Sequence, residues 1–507
     1  MFKHLLFICI GILIAVQSNA ATLYVTDFSD NYSSQSLRGA ISAARSGDQV
    51  IIKGNGRITL TRGQITIYNK SLTIRATGDV TIDANYNSRI FNLYSNAFRV
   101  ITLKNLDLVN GKVINNRGGA ILATSVNTNK RSVLNIEDCN FTNNRSESAT
   151  SPFLTGGGAI YSDFALDIDN TDFIFNRSTN GAGAVAFSSA IPDAGVRNGG
   201  NLYITNSDFV ANHSANIGAL DIGANSGYAS LSGVEFRNNF AQTIGAVSFT
   251  GRELYGHSIK FNNNRSNMGL AGGLYLAESL SSGSVDIINS EFNQNTAQTH
   301  GGAIAVDRMN RVAVKNSSFG YNTSQSNGGA IYISASTDSG SITLENNTLS
   351  GNSAERGAAI YKALGSTSSL LLHHVTIANN IARQLGGGMY SYNTFPRNIQ
   401  LWNSILSNNT PDNCRGELNL IADNIIPDTS GCLVKTSSDI SSHLINVDPE
   451  LKPFSYNGAD TRTHAIDVGS SAINAGTIDC DLSLDQRYQE RGILCDIGAY
   501  EYKTRLF

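Results

Sequence analysis

Carboxylates, imidazoles, thiols and phenols are the groups in this chain that could do chemistry, and their positions recur. Asp163, Asp221 and Asp307 each follow a glycine–alanine turn. Carboxylates gathered in one groove would serve proton transfer or cation binding, but solvated surface is the favoured reading. His373 and His374 are adjacent in a strand-like run, where alternation points one ring inward and one outward, so no shared metal site is expected. Tyrosine recurs at Tyr161, Tyr275, Tyr332, Tyr361 and Tyr390, the last three 29 residues apart. If Ile331 and Ile333 face inward, Tyr332 faces out and its two successors stack beside it. A phenol offers an apolar face and a polar tip, which suits a sugar or a protein partner. Ring-on-ring stacking that only stabilises the scaffold is the alternative. Tyr332, Tyr361, Tyr390 and Tyr275 are therefore the candidate ligand-binding residues. There is no phosphate-binding loop, serine nucleophile elbow or HExxH motif, so no catalytic residue, cofactor or metal ligand is assigned.

The thiols point to an exported chain. Cys414 and Cys432 lie 18 apart, Cys480 and Cys495 lie 15 apart, and neither pair has a zinc-like spacing. Local pairs of this kind read as disulfides, each stabilising by roughly 3 kcal/mol on a loop-entropy argument. Cys139 stands alone. Residues 1–20 read as a signal peptide: a weak basic start at Lys3 and His4, an apolar run from Leu5 to Val16, then Ser18-Asn19-Ala20. Cys9 leaves with it. No later apolar run reaches membrane-spanning length.

The net charge of −3, with 15% charged residues, lacks the basic footprint a nucleic-acid partner needs. The 41% hydrophobic content supplies a large core.

What positions the candidate groups is a repeat. A bulky apolar residue, two residues, an asparagine, one residue and a small residue recur from Phe141…Asn144-Arg145-Ser146 onward. The asparagines are Asn144, Asn176, Asn212, Asn239, Asn264, Asn295, Asn322, Asn352, Asn380 and Asn408, about 29 residues per step. After each of the first nine comes a Gly/Ala-rich strand start, as in Gly301-Gly302-Ala303-Ile304. Before each bulky residue runs a short alternating segment such as Val285-Asp286-Ile287-Ile288. No helical period is present. Such units bury their apolar faces only by stacking. A right-handed parallel β-helix of about ten coils follows, an all-β solenoid. The bulky and small residues face inside, and the asparagines form a hydrogen-bonded ladder at a corner whose geometry asparagine tolerates. Loops such as 188–201 and 335–341 leave the rod at corresponding positions.

The ends must be capped. Ser36 to Ala44 has the spacing of a short amphipathic cap helix. After Asn413 the repeat is abandoned, and the four paired cysteines mark a stapled cap over the last coil. The expected organisation is a signal peptide at 1–20, an N-terminal cap and first coils at 21–98, repeats at 99–412, and a C-terminal cap domain at 413–507.

The paired FxxN and GGAI motifs resemble the repeats of chlamydial polymorphic outer-membrane proteins and related bacterial surface β-helix proteins. Ser36-Leu37-Arg38…Ala40-Ile41…Gly47-Asp48 is similar to a CSLREA-type start, with Gln35 and Gly39 at its Cys and Glu positions. Asp485-Gln486-Arg487…Cys495-Asp496-Ile497-Gly498-Ala499-Tyr500-Glu501 looks like a choice-of-anchor Q domain. These resemblances imply a pectin-lyase-like fold and a surface or secreted, adhesin-like role with a polysaccharide or cell-surface partner; they transfer no catalytic residue. The chain leaves no room for a translocator barrel, and only Lys503–Phe507 follow the anchor-like ending, so free secretion or periplasmic residence stands beside surface attachment. Asn170-Thr171-Asp172 resembles an element of polygalacturonases, but that family's paired aspartates and Gly-His-Gly are missing. A lyase or hydrolase is the rival to a binding protein, and a structural envelope protein is the third reading.

Overall fold

Short alternating strands leave half their side chains apolar and unburied, and each pairs with its counterpart one unit later. The computed structural model describes residues 20–126, 132–148, 156–188, 200–223, 226–277, 283–335, 340–391, 399–436, 444–477, 480 and 482–503. The signal-like stretch to residue 19 and most of the two loops named above lie outside them. The described residues form an all-β, right-handed parallel solenoid of about 12 turns with one short helix among them.

Each repeat turn contributes to three sheets. Sheet 1 holds the alternating runs, aligned as Val285, Val312, Ile342, Leu370 and Ile399. Sheet 2 holds the bulky residues, aligned from Phe141 to Phe319 and on through Leu349 and Ile377 to Leu406. Sheet 3 holds the glycine–alanine strands, aligned as Leu274, Ile304, Ile331, Ile360 and Met389. A ladder of very short strands follows the asparagines. Sheets 1 and 3 merge at Cys414–Leu420, which pairs with both.

The interior is a set of vertical stacks. Phe141, Phe173, Phe209, Phe236, Phe261, Phe292 and Phe319 are fully buried, with successive ring centroids 4.7 to 4.9 Å apart. Beside them runs the asparagine ladder, every member of which is also buried. Each backbone N–H and each side-chain amide nitrogen donates to the Oδ1 of the next asparagine. The amide nitrogen also donates to a carbonyl of the preceding coil. For Asn264 these contacts are 3.1 Å and 2.9 Å to Asn295 Oδ1 and 2.8 Å to the Phe236 carbonyl.

Two details of the expected grammar change. The last ladder residues are Asn409 and Asn413, and Asn408 is exposed. The inward bulky residue of that coil is Leu406, aligned with Ile377, so the motif starts one residue later than the Ile405…Asn408 reading. The left-handed corner also falls one residue before the ladder, at Asn143, Phe175, Ala211, Asn238, Asn263, Gln294, Tyr321 and Asn379 with φ between 52 and 60°. The ladder asparagine is selected for its amide rather than for its backbone. A second left-handed corner joins sheets 1 and 2 at Asn170, Asn206, Ser258, Asn289, Asn316, Asn346, His374 and Asn403.

The glycines that open sheet 3 meet their neighbours closely. A Cβ on Gly302 would sit 2.1 Å from the Gly329 carbonyl oxygen and 2.7 Å from Thr323 N, so the coils cannot close on a larger residue.

The array exceeds the ten expected coils because turns at both ends lack the asparagine grammar. At the start, strands from Thr22–Val25 to Asp107–Val109 pair in the same parallel manner. At the end, the pairing runs on through Cys432–Thr436 and Leu444–Ile445. The helix Leu37–Ala43, N-capped by Ser36, buries Leu37, Ala40 and Ile41 at the N-terminal end.

The C-terminal segment extends back along the outer face of sheet 2. Gly498 N donates to the Asn403 carbonyl at 2.8 Å, and Thr348 Oγ1 donates to Gln486 Oε1 at 2.6 Å. His464 Nε2 lies 2.8 Å from Ser350 Oγ, and Tyr456 donates its hydroxyl to Glu291 Oε2 at 2.9 Å. Asp485, fully buried, pairs with Arg487 at 2.7 Å, and Arg487 lies over the Tyr500 ring. Residues Asp485 to Glu501 thus fold the segment on itself.

Candidate functional site

Alternation along the strands of sheet 3 puts one row of side chains outside. In register that row is Asp221, Ser248, Tyr275, Ala305, Tyr332, Tyr361, Tyr390 and Arg415. Tyr332, Tyr361 and Tyr390 stack at 5.6 and 5.1 Å with interplanar angles of 8° and 1°. His300, at the turn before the strand, extends the stack onto Tyr332 at 4.1 Å. The sequence reading missed this histidine because it lies outside the repeated position.

The geometry alters the expected platform. The interior rings have neighbours on both faces, so no sugar can lie flat on them. What they offer outward is their edges and hydroxyls. Those of Tyr332 and Tyr361 have no hydrogen-bond partner among the described residues, and both side chains are partly buried. Burial raises the pKa of each phenol, so both stay neutral donors at physiological pH. Tyr390, the last ring of the stack, is only 8% exposed, where the expectation had it open. Tyr275 is outside the stack: Ala305 separates it from Tyr332, and its hydroxyl bonds Asp307 at 3.2 Å.

Asp163, Asp221 and Asp307 do not gather. Asp221 is in the tyrosine row, whereas Asp307 is two positions along its strand and Asp163 binds the Ser125 amide several coils away. Burial raises the Asp221 carboxyl to about 6.

A cleft of about 300 Å³ opens instead on sheet 2, where the C-terminal segment begins to cover it. Asp208, Glu235, Lys260, Glu291 and Asp460 line it. The first four hold one outward position on successive coils, below Asp172. Burial raises the pKa of Asp172 and Asp208, and for Asp208 the Glu235 and Asp172 charges add to this. Glu291 is held by Tyr456 and by Arg462 at 3.4 Å, and Glu235 accepts from Asn262 at 3.1 Å. The sequence signal is an acid directly before four of the stacked phenylalanines, Phe173, Phe209, Phe236 and Phe292; the lid that makes a cleft of the row comes from far along the chain.

His373 and His374 are both buried, contrary to alternation. The strand ends at His373, and His374 occupies the left-handed corner beneath the C-terminal segment. Its Nε2 lies 3.7 Å from Cys480 Sγ. Disulfides join Cys414 to Cys432 and Cys480 to Cys495, and Cys139 is a buried free thiol, its pKa pushed up to about 12 by burial.

Sequence reasoning also passed over Lys362, which follows Tyr361 and points into the core. It is fully buried, donates to the Ser366 carbonyl at 2.6 Å, and burial lowers its pKa to about 8. An unfolded lysine titrates near 10.4, so the folded chain gives up this proton first. Below pH 8 the buried charge costs in full, and stability rises as pH climbs from about 8 toward the unfolded value. Denaturant titrations should show the wild type gaining about 3 kcal/mol over that window relative to Lys362→Met. Equal pH slopes would place the ammonium in water.

Three segments match a family model, the Chlamydia polymorphic membrane protein repeat: residues 138–163, 289–307 and 316–334. Each spans one bulky-residue and asparagine corner with the glycine–alanine turn that follows. No curated protein matches the chain. Among solved structures, the crystal structure of pectate lyase Pel9A matches at 13% identity over 96% of this chain and 97% of that one, with a TM-score of 0.28.

Proposed function

We propose that this chain is an exported β-solenoid that acts at a cell surface, or free after secretion, by binding rather than by turnover, with a glycan as its ligand. The reading is adhesin-like. It rests on one observation above all: the outward hydroxyls of Tyr332 and Tyr361, set in register along the rod. A row of neutral donor–acceptor hydroxyls beside ring edges suits a polyhydroxylated chain. The similarity of three segments to polymorphic membrane protein repeats supports the surface setting. The signal-like residues 1–20, the CSLREA-like start and the choice-of-anchor Q-like ending belong to the same proposal.

The test is retention of the mature chain on a panel of immobilised polysaccharides, with release of soluble product scored alongside. Retention on at least one glycan without release supports binding; no retention on any sinks the glycan reading.

One observation favours a second reading, a glycoside hydrolase. The cleft on sheet 2 brings a raised-pKa acid, Asp208, beside Glu235 and Lys260. Two carboxyls on one face of a cleft are the parts such hydrolysis needs. Against it, Glu291 and Glu235 already serve as anchors for neighbouring side chains.

A further inference from the structure

The C-terminal segment meets the rod at a point where three metal-binding atoms converge. His374 Nε2, Cys480 Sγ and Cys495 Sγ all lie within 4.8 Å of one another. His374 and Cys495 are fully buried, and Cys480 is partly so. The two sulfurs come from the segment and the imidazole from a corner of the rod.

The surroundings fix where the imidazole carries its proton. The Thr477 backbone N–H can only donate, and it meets Asn403 Oδ1 at 3.3 Å. The amide nitrogen of Asn403 therefore faces the other way, 3.0 Å from Thr477 Oγ1 and 3.2 Å from His374 Nε2. An amide N–H₂ also only donates, so Nε2 accepts and the proton sits on Nδ1. A lone pair is held on the nitrogen nearest the sulfurs, the form in which histidine ligates metals.

We propose that reduction of the Cys480–Cys495 bond opens a three-ligand site, His374 Nε2 with Cys480 Sγ and Cys495 Sγ, for a thiophilic cation of the Zn²⁺ class. In the reductive step a dithiol donor forms its own disulfide, and two electrons and two protons pass to the cysteines. Binding of the cation releases those two protons. Two thiolates then balance its charge, and a fourth position is left for water. Tetrahedral Zn²⁺, with bonds of about 2.3 Å to sulfur and 2.0–2.1 Å to nitrogen, places N and S about 3.6 Å apart. His374 Nε2 and Cys480 Sγ already stand 3.7 Å apart. The disulfide ties the segment to itself, whereas the cation ties it to the rod.

The test titrates Co²⁺ into the full mature chain, oxidised and after phosphine reduction. The reduced chain should bind one Co²⁺ with thiolate-to-cobalt charge transfer, displaced by Zn²⁺, and the oxidised chain should show none. His374→Gln should weaken binding roughly tenfold or more. A Cys414→Ala/Cys432→Ala chain should keep the band. Because variants can misfold, alkylation of the reduced wild type is mapped in parallel: Zn²⁺ should protect Cys480 and Cys495 but not Cys432. Absence of the band, a band indifferent to His374→Gln in folded protein, or protection at Cys432 alone would overturn the proposal.

Discussion

Asn264→Ala is expected to lower the unfolding free energy by about 4 kcal/mol, more than most single changes in a chain of this size. The Asn264 side chain accepts from the backbone N–H and the amide of Asn239, both at 3.0 Å, and donates to the Phe236 carbonyl and to Asn295 Oδ1. Alanine leaves the Asn239 N–H and the Phe236 carbonyl without these partners in a dry interior. Each such loss costs about 1–3 kcal/mol. Asn264→Asp keeps the shape but turns an acceptor toward the Phe236 carbonyl, so it should be at least as damaging. Because each coil contacts only its neighbours, the loss should appear locally as well. Amide exchange at Asn239 should accelerate far more than exchange at Asn380, several coils away. A full-length denaturation curve indistinguishable from wild type would mean that the ladder is decoration on a rod held by its phenylalanines.

The second large effect concerns ligand binding. Tyr332→Phe, Tyr361→Phe and Tyr390→Phe together keep the ring stack, so the rod should fold and melt as wild type. They remove the two outward hydroxyls, of Tyr332 and Tyr361, each worth about 1 kcal/mol in a hydrogen bond to ligand. Retention of the glycan should therefore fall by roughly thirtyfold, from about 2 kcal/mol in all. Alanine at the same positions would also unstack His300 and the coils, confusing binding with stability. Full retention by a folded triple phenylalanine chain would assign the row to scaffold alone.

Much of this architecture is legible in the residues because every coil meets the same demand. Phe141 to Phe319 must fill the same cross-section, and Gly302 must admit a neighbouring carbonyl at a distance no Cβ allows. Where the demand is met differently, the pattern misleads. In the coil of Leu406 an extra apolar residue, Ile405, belongs to the contact with the C-terminal segment, and that shifts the apparent motif by one. The opening turns carry no asparagine ladder and so escape a count based on it. The candidate site is less legible still. The pairing of Gln486 with Thr348 spans 138 residues, and that of His464 with Ser350 spans 114. No local spacing announces that this segment returns to sheet 2, roofs the acidic row or buries His374. Lys362 stands at the position of the inward Ile333 one coil earlier, so register rather than residue type places its charge in the core.

The central claim, a rod that binds without cutting, is tested most directly by following chain ends. The mature protein is incubated with a polysaccharide it retains, and new reducing or unsaturated ends are counted over time. Tight retention with no new ends is expected. New ends that vanish in Asp208→Asn would contradict it and move the function into the cleft on sheet 2.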